Sequence, residues 1–322
     1  MTVDEVVSIC VPTFNGAEFL GAALASALAQ GPHMGELLVC DDASTDETPA
    51  LIRSISDPRV RYERFETNAG QPGNFNRCLS QARGAFWTLL SADDRLDPAF
   101  LAVGVAALRD HPDCGYFVAA TATIDAAGFV TGEKRPWPAA RRLPRSETSE
   151  ALLGGAAFNL LGLLVRREAL VAVGAFRTDL TWGHDWEWIM RLSAACDGVY
   201  SSRVLAEYRV HDGSGTEAVL RNGSNGPQEL AILREAIARL NAGRRLRVGP
   251  PALRRFGARY LFFAEHALLR RRRRPALANL RDAVRADRGV LTRVTFWKLL
   301  LGCTAPGAYT RMHAAGAREH GI

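Results

Sequence analysis

The stretch Leu89-Leu90-Ser91-Ala92-Asp93-Asp94 sets the terms for the whole chain. It ends the apolar run from Phe86 with two adjacent carboxylates, and Pro98 follows shortly after. The pattern predicts a buried strand that delivers an acidic pair to its exposed C-terminal end. Two neighbouring carboxylates repel unless a cation or a proton intervenes. A divalent metal ion relieves that repulsion, and a metal at a strand tip can in turn hold phosphates. The same two residues would also serve as a helix cap or a turn, so the rest of the chain has to decide.

Upstream, Val6 to Pro12 is a continuous apolar strand rich in β-branched residues, suited to the covered centre of a parallel sheet. Glu18 to Gln30 reads as a helix, and Glu36 to Cys40 as a second strand ending in Asp41-Asp42. Ser44-Thr45-Asp46-Glu47 can cap a helix running from Thr48 to Ile55. Arg59 to Arg64 gives a third strand, Asn74 to Ala82 a helix closed by Gly84, and Phe86 to Leu90 the fourth strand. Strand–helix alternation of this kind predicts a doubly wound α/β sheet, which binds ligands beyond the carboxyl ends of its strands. Asp41, Asp42, Asp93 and Asp94 all fall at such ends. Beyond Pro98 the order loosens. A strand is expected over Tyr116–Ile124, an exposed Pro- and Arg-rich loop over Lys134–Arg145, and short helices over Arg166–Val173 and Asp185–Ala195. Asp212 to Pro227 reads as a linker. From Gln228 the pattern is helical, with apolar stripes Leu230, Leu233, Ile237, Leu240 and Leu277, Leu280, Val284.

The 322 residues allow a large domain with an appendage, expected at 1–225 and 226–322. Residues 226–322 carry 20 Lys+Arg against 6 Asp+Glu, a net of +14; the remainder carries 20 against 28, a net of −8. A basic half of this kind suits an anionic surface. Only Lys134 and Lys298 of the 40 basic residues are lysines. The six cysteines form no C-x-x-C pair and sit largely in apolar runs, which predicts reduced core residues and a cytoplasmic protein. The acidic start Met1-Thr2-Val3-Asp4-Glu5 is not expected to be a signal peptide, and no apolar stretch reaches the roughly 18 residues that span a bilayer.

The motifs taken together resemble family 2 glycosyltransferases over roughly residues 6–215. Ser8 to Gly16 is similar to that family's opening strand and turn, and Val39 to Thr48 to its second signature. Asn68-Ala69-Gly70, Asn76 and Ala82-Arg83-Gly84 fall where the family has an Asn-x-Gly…Asn…Gly series. Ser91-Ala92-Asp93-Asp94 resembles its metal-binding motif, Gly183 to Glu187 with Arg191-Leu192 its segment carrying the catalytic base, and Tyr208-Arg209-Val210-His211 its closing motif. Three positions depart from it: Phe75 stands where the family often has arginine, His184 where an acidic residue usually precedes the base, and Ser91 at the first position of the acidic motif.

The resemblance implies a GT-A fold, a Rossmann-like doubly wound mixed sheet, here with a C-terminal helical extension. It implies inverting transfer of a sugar from a nucleotide-sugar donor, UDP- or dTDP-linked, to an acceptor hydroxyl in bacterial glycan or polysaccharide synthesis. Mg2+ or Mn2+ would bridge the phosphates, held by Asp94 and by His211, which could instead contact phosphate; Asp93 lies toward the ribose or the metal. Asp42 would accept from the nucleobase with Asp41 in support, and Thr13, Asn15 and Asn76 would line the donor site. Asp185, with Trp182, Trp186 and Trp188 around it, is the candidate general base, a role worth about 10²–10⁴ in rate. Each has a structural alternative: a turn residue for Thr13, a helix cap for Asp41 or Asp185, core packing for the tryptophans, a scaffold role for Arg209. The run Arg270 to Arg274, close to Tyr260-Leu261-Phe262-Phe263 and followed later by Phe296 to Leu301, fits an anionic membrane surface, a peripheral position suited to a lipid-linked acceptor. It also fits a solvated helix face, and no nucleic-acid fold signature accompanies it. The rivals are a non-catalytic sugar-nucleotide-binding module and a two-carboxylate glycoside hydrolase, which would have no use for Asp41-Asp42.

Overall fold

The computed structural model describes residues 6–214, 223 and 225–305. The chain forms two compact units, residues 1–152 with 156–211, and residues 153–155 with 212–322. The division falls at the start of the Gly-, Ser- and Asn-rich stretch 212–227 rather than at its end. Residues 215–222 and 224 of that expected linker lie outside the described residues.

The first unit runs β1 (Val7–Thr13), α1 (Ala17–Leu28), β2 (Met34–Asp41), α2 (Thr48–Arg53), β3 (Val60–Arg64), α3 (Gly70–Gln81), β4 (Phe86–Leu89), β5 (Arg95–Leu96) and α4 (Phe100–Asp110). It continues with β6 (Cys114–Ile124), β7 (Val130–Lys134), β8 (Arg141–Leu143), α5 (Arg145–Leu152), β9 (Leu163–Arg166), α6 (Arg167–Val173), α7 (His184–Ala195) and β10 (Asp197–Arg209). One mixed sheet has the order β3-β2-β1-β4-β9-β6-β10-β5, with β7 on β6 and β8 on β10. The pairs among β1 to β4 are parallel, as the strand–helix alternation predicted, whereas β9 lies antiparallel between β4 and β6. Alternation along β1 sends Ile9 and Val11 to the face covered by Leu20 and Leu24 of α1. It sends Cys10 to the other face, where its thiol meets the Cys78 carbonyl of α3. All six cysteines are free and five are buried.

Three local expectations change. Helix α3 begins at Gly70, not Asn74: Pro72 lies in its first turn, where a missing N–H leaves nothing unsatisfied. Gly84 is not a left-handed cap; it lets the chain pass so close to β1 that a Cβ there would lie 2.6 Å from the Ser8 nitrogen. The Lys134–Arg145 loop contributes β8, an edge strand antiparallel to β10. The thirteen-residue β10 went unread because its charged residues and its register shifts near Ser201 and Val204 break the two-residue alternation.

The second unit is helical: α8 (Gly226–Ala238), α9 (Ala242–Leu269), α10 (Arg273–Ala286) and α11 (Val294–Thr304). Leu230, Leu233, Ile237, Phe256, Tyr260, Leu261, Leu280, Phe296 and Leu299 form its buried side. The second stripe is corrected: Leu277 is exposed, and α10 buries Ala276, Asn279, Leu280 and Ala283 instead. No helix among the described residues is long and apolar enough to cross a membrane.

Candidate active site

The strand order 3-2-1-4 reverses direction of growth at β1, so the crevice beyond β1 and β4 is the place where such a sheet takes a ligand. Thr13 ends β1, Asp41 and Asp42 end β2 beside it, and Asp93 and Asp94 follow β4.

The loops after β1 and β2 are stapled together. The Asn15 N–H donates to the Ser44 hydroxyl at 2.9 Å, and the Thr45 N–H donates to the Asn15 carbonyl oxygen Oδ1 at 2.8 Å. Thr48 Oγ1 and Asp46 Oδ2 accept from the Gly16 and Ala17 N–H groups at 3.1 Å each, so the second loop caps α1, while Asp46 Oδ1 also accepts from the Thr48 N–H at 3.0 Å at the start of its own helix. Asn15 and Ala43 hold φ of +51° and +68°. For alanine this conformation costs about 1–2 kcal/mol, and strain of this kind gathers at ligand clamps. Gly16 is required here, because a Cβ would stand 2.7 Å from Thr13 Oγ1. That Thr13 hydroxyl is buried and has no hydrogen-bond partner among the described residues.

The two carboxylates after β2 separate in role. Asp41 is fully buried; it accepts from the Ser44 N–H at 2.8 Å and from the Tyr62 hydroxyl at 2.6 Å, bracing β2 against β3. It caps no helix. Asp42 accepts at Oδ1 from the Ala69 N–H at 2.8 Å and from Arg77 at 2.5 Å, leaving Oδ2 without a partner among the described residues. Asn76, expected in the donor site, spends its amide on the backbone of Phe176, donating to the carbonyl at 2.9 Å and accepting from the N–H at 2.7 Å. In this structure it is a brace. The neighbouring Asn74 is a buried amide at this end of the sheet, donating to the Cys40 carbonyl at 2.9 Å, with Oδ1 unpaired among the described residues.

Asp94 is 2 % exposed and accepts from the Arg209 N–H at 2.8 Å. Burial and then the neighbouring Asp93 charge push its pKa well above the usual carboxylate range, against the pull of Arg209 and the Ser91 hydroxyl. Asp93 opens further to solvent, and its Oδ2 lies 3.2 Å from His211 Nε2. Arg209 carries the pair from beneath: its side chain donates to the Asp93 carbonyl at 2.8 Å and to the Asp125 and Ala126 carbonyls at 3.0 Å, with Phe19 against its plane. It is the scaffold of the acidic pair. Of the expected metal ligands, Asp93 and His211 are within hydrogen-bond reach and Asp94 follows Asp93 in the chain; the carboxylate oxygens are of the kind that suits Mg2+ or Mn2+. No cage of three ligating side chains is preformed among the described residues.

Asp185 is the second residue of α7, half-buried, and makes no cap: Gly183, at φ +71°, occupies the N-cap position. Of the tryptophans expected around it, Trp186 and Trp188 are core. They donate to the Leu152 and Gly174 carbonyls, and Trp188 stacks on Phe176. Two residues beside Asp185 carry more information. His184 is buried against Phe75, ring centroids 5.5 Å apart; burial lowers its pKa, with the Asp185 charge pulling it back up. Lys134, placed by sequence in a loop, ends β7 half-buried, donating to the Ala156 carbonyl at 3.0 Å and Asn159 Oδ1 at 3.1 Å. Burial lowers its pKa, and the Asp185 carboxylate opposes the shift. The one available signal was its rarity, a lysine in a chain whose basic residues are otherwise almost all arginine.

The mixed sheet, its acidic carboxyl edge and the appended helices define a GT-A-type fold. The Staphylococcus aureus TarS structure (residues 1–349) in complex with UDP-GlcNAc superimposes with a TM-score of 0.69 at 18% identity, covering 87% of this chain and 81% of that one. The glycosyl transferase family 2 model matches residues 8–170, and the chain belongs to that family. The succinoglycan biosynthesis protein ExoO of Rhizobium meliloti is 40% identical over 98 residues, 30% of this chain and 28% of its own length. ExoU of the same organism, also a succinoglycan biosynthesis protein, is 28% identical over 74% of this chain and 70% of its own. An Escherichia coli protein named as a UDP-Glc:alpha-D-GlcNAc-diphosphoundecaprenol beta-1,3-glucosyltransferase, WfgD, is 37% identical over 28% of this chain and 36% of its own.

Proposed function

We propose that this chain is an inverting, metal-dependent glycosyltransferase. It takes a sugar from a UDP- or dTDP-linked donor and passes it to an acceptor hydroxyl in bacterial glycan synthesis. The observation that carries this is the buried Asp94 beside Asp93 at the switch point of a family 2 sheet, a carboxylate destabilised as an anion until positive charge arrives. Asp94 and His211, with Asp93, would hold a divalent cation there, supplying Lewis-acid neutralisation of the leaving diphosphate. Asp42 offers its open oxygen to the N–H of a uracil or thymine ring, and the unpartnered Thr13 hydroxyl is available to the nucleoside. Asp185 takes the acceptor proton as the acceptor oxygen attacks the anomeric carbon; the carbon–oxygen bond to phosphate breaks and the nucleoside diphosphate leaves with its electron pair. Lys134, held by the Ala156 carbonyl and Asn159 Oδ1, places an amine near Asp185.

The relatives' names support a polysaccharide or lipid-linked acceptor. The basic second unit supports a cytoplasmic protein held peripherally at the inner face of the membrane. A panel of nucleotide sugars, with and without Mg2+ or Mn2+, tests the proposal on wild type and Asp94→Ala. Metal-dependent turnover of a uridine or thymidine donor, lost in the variant, is expected. Donor binding without turnover under every condition would establish the non-catalytic module instead.

A further inference from the structure

The turn from α9 into α10 concentrates charge in a way the unit does not compensate. Arg271, Arg272, Arg273 and Arg274 follow one another, and none has an acidic partner among the described residues. They sit at the start of α10, where the helix dipole is itself positive and disfavours cations. Arg271 additionally holds φ at +59°, a conformation that costs a non-glycine residue free energy. Against this turn lies a cavity of about 200 Å³, its wall made by Phe262, Phe263, His266, Arg272 and Asn279. Asn279 is 3% exposed and its Oδ1 has no hydrogen-bond partner among the described residues, an arrangement that costs stability unless a ligand donates to it. Phe262, on the cavity wall, is 60% exposed, and Leu269 and Leu277 are exposed on the same two helices.

We propose that this cavity binds the phosphate headgroup of a membrane lipid. The site rests on the membrane-surface part of the function above and gives it a defined contact. Arg272 supplies donors of the kind that grip phosphate oxygens, and Asn279 Oδ1, an acceptor, takes a hydrogen bond from the P–OH of a singly ionised phosphate monoester. The phenylalanine wall suits the carbons next to the phosphate, which a free inorganic ion does not have. The cavity is smaller than the roughly 300–1,000 Å³ of clefts that enclose a whole drug-sized ligand, so it fits a headgroup whose tail remains outside, among exposed apolar side chains.

Co-sedimentation of the full chain with phosphatidylcholine vesicles, with and without phosphatidic acid, tests this. Arg272→Gln and Asn279→Leu are compared with Arg254→Gln, an exposed arginine of α9 outside the cavity. An arginine that acts only through the surface potential is worth about fivefold in partitioning. Arg272→Gln is expected to lose more than that, and Arg254→Gln no more. Asn279→Leu, its folding checked by circular dichroism, is expected to lose binding like Arg272→Gln; where it does not fold, Arg272→Gln decides. Equal losses for Arg272→Gln and Arg254→Gln overturn the pocket while leaving surface attachment intact. A wild type that ignores phosphatidic acid overturns both. Inorganic phosphate or an oligonucleotide binding where vesicles do not would also overturn the lipid.

Discussion

At the scale of single residues, the two sides of the site call for different tests. Asp185→Asn keeps the shape of the helix start and removes the proton acceptor. Transfer is expected to fall by about 10²–10⁴ while UDP binding by calorimetry stays at the wild-type value; unchanged transfer would remove Asp185 from the mechanism. The departures Phe75 and His184 are no longer independent oddities, because the two rings pack on one another and both are buried. Phe75→Arg or His184→Glu alone buries an unpaired charge, at about 3–5 kcal/mol each. The double variant pairs the two charges and is expected to recover part of that loss in thermal melts. Strictly additive losses would show that the positions do not couple. What sequence could not show is also clearest here. Asp94, Asp185 and His211 are named by motif, but Arg209's grip on the acidic pair and Lys134's position beside Asp185 depend on contacts across 116 and more than 20 residues of chain. No local pattern encodes those distances.

At the scale of elements, β1, β2, β4 and α1 were legible because continuous apolar runs and helical spacing are written in adjacent residues. Strand β10 and the start of α3 were not, since bulges and a first-turn proline override local rules. Two braces hold these elements, and both can be broken. Asn76→Ala strands the backbone N–H and carbonyl of Phe176, which costs about 1–3 kcal/mol. If Asn76 is a brace, the variant melts lower and binds UDP normally; a selective loss of UDP affinity would return it to the donor site. At the opposite edge, Glu36 ties β2 to Ser8 of β1, to Arg61 of β3 and to the Arg83 N–H before β4. Burial alone would raise its pKa, but the Ser8, Arg83 and Arg61 contacts together hold it below the usual value of 4.5. A depressed carboxylate stabilises the fold fully above the unfolded pKa and loses that contribution as pH falls through the folded one. The gap in melting temperature between wild type and Glu36→Gln is therefore expected to be widest near neutral pH and to close below about pH 4.5. A gap that persists at low pH would mean that shape, not charge, makes the contact.

At the scale of the molecule, the two units differ in charge as well as in fold. The candidate nucleotide-site residues all belong to the first unit, and the +14 carried by residues 226–322 belongs to the second. Dense charge of one sign repels itself in the compact state, and salt relieves the repulsion: the screening length shortens from about 10 Å at 0.1 M to about 3 Å at 1 M. A ligand that binds only the folded form stabilises it by about 2.7 kcal/mol at a hundredfold excess over its Kd. Each unit has its own buried side, so each can unfold as its own cooperative step. Scanning calorimetry is then expected to show two transitions with separate responses: added salt raises the one that belongs to the basic helical unit, and UDP with Mg2+ raises the other. The order of the two can be assigned with Asp94→Ala, which is expected to abolish the UDP response and leave the salt response alone. A single transition that moves with both additions would show instead that donor binding and the basic unit share one stability. The helices would then have to be counted as part of the catalytic fold and not as an attachment to it.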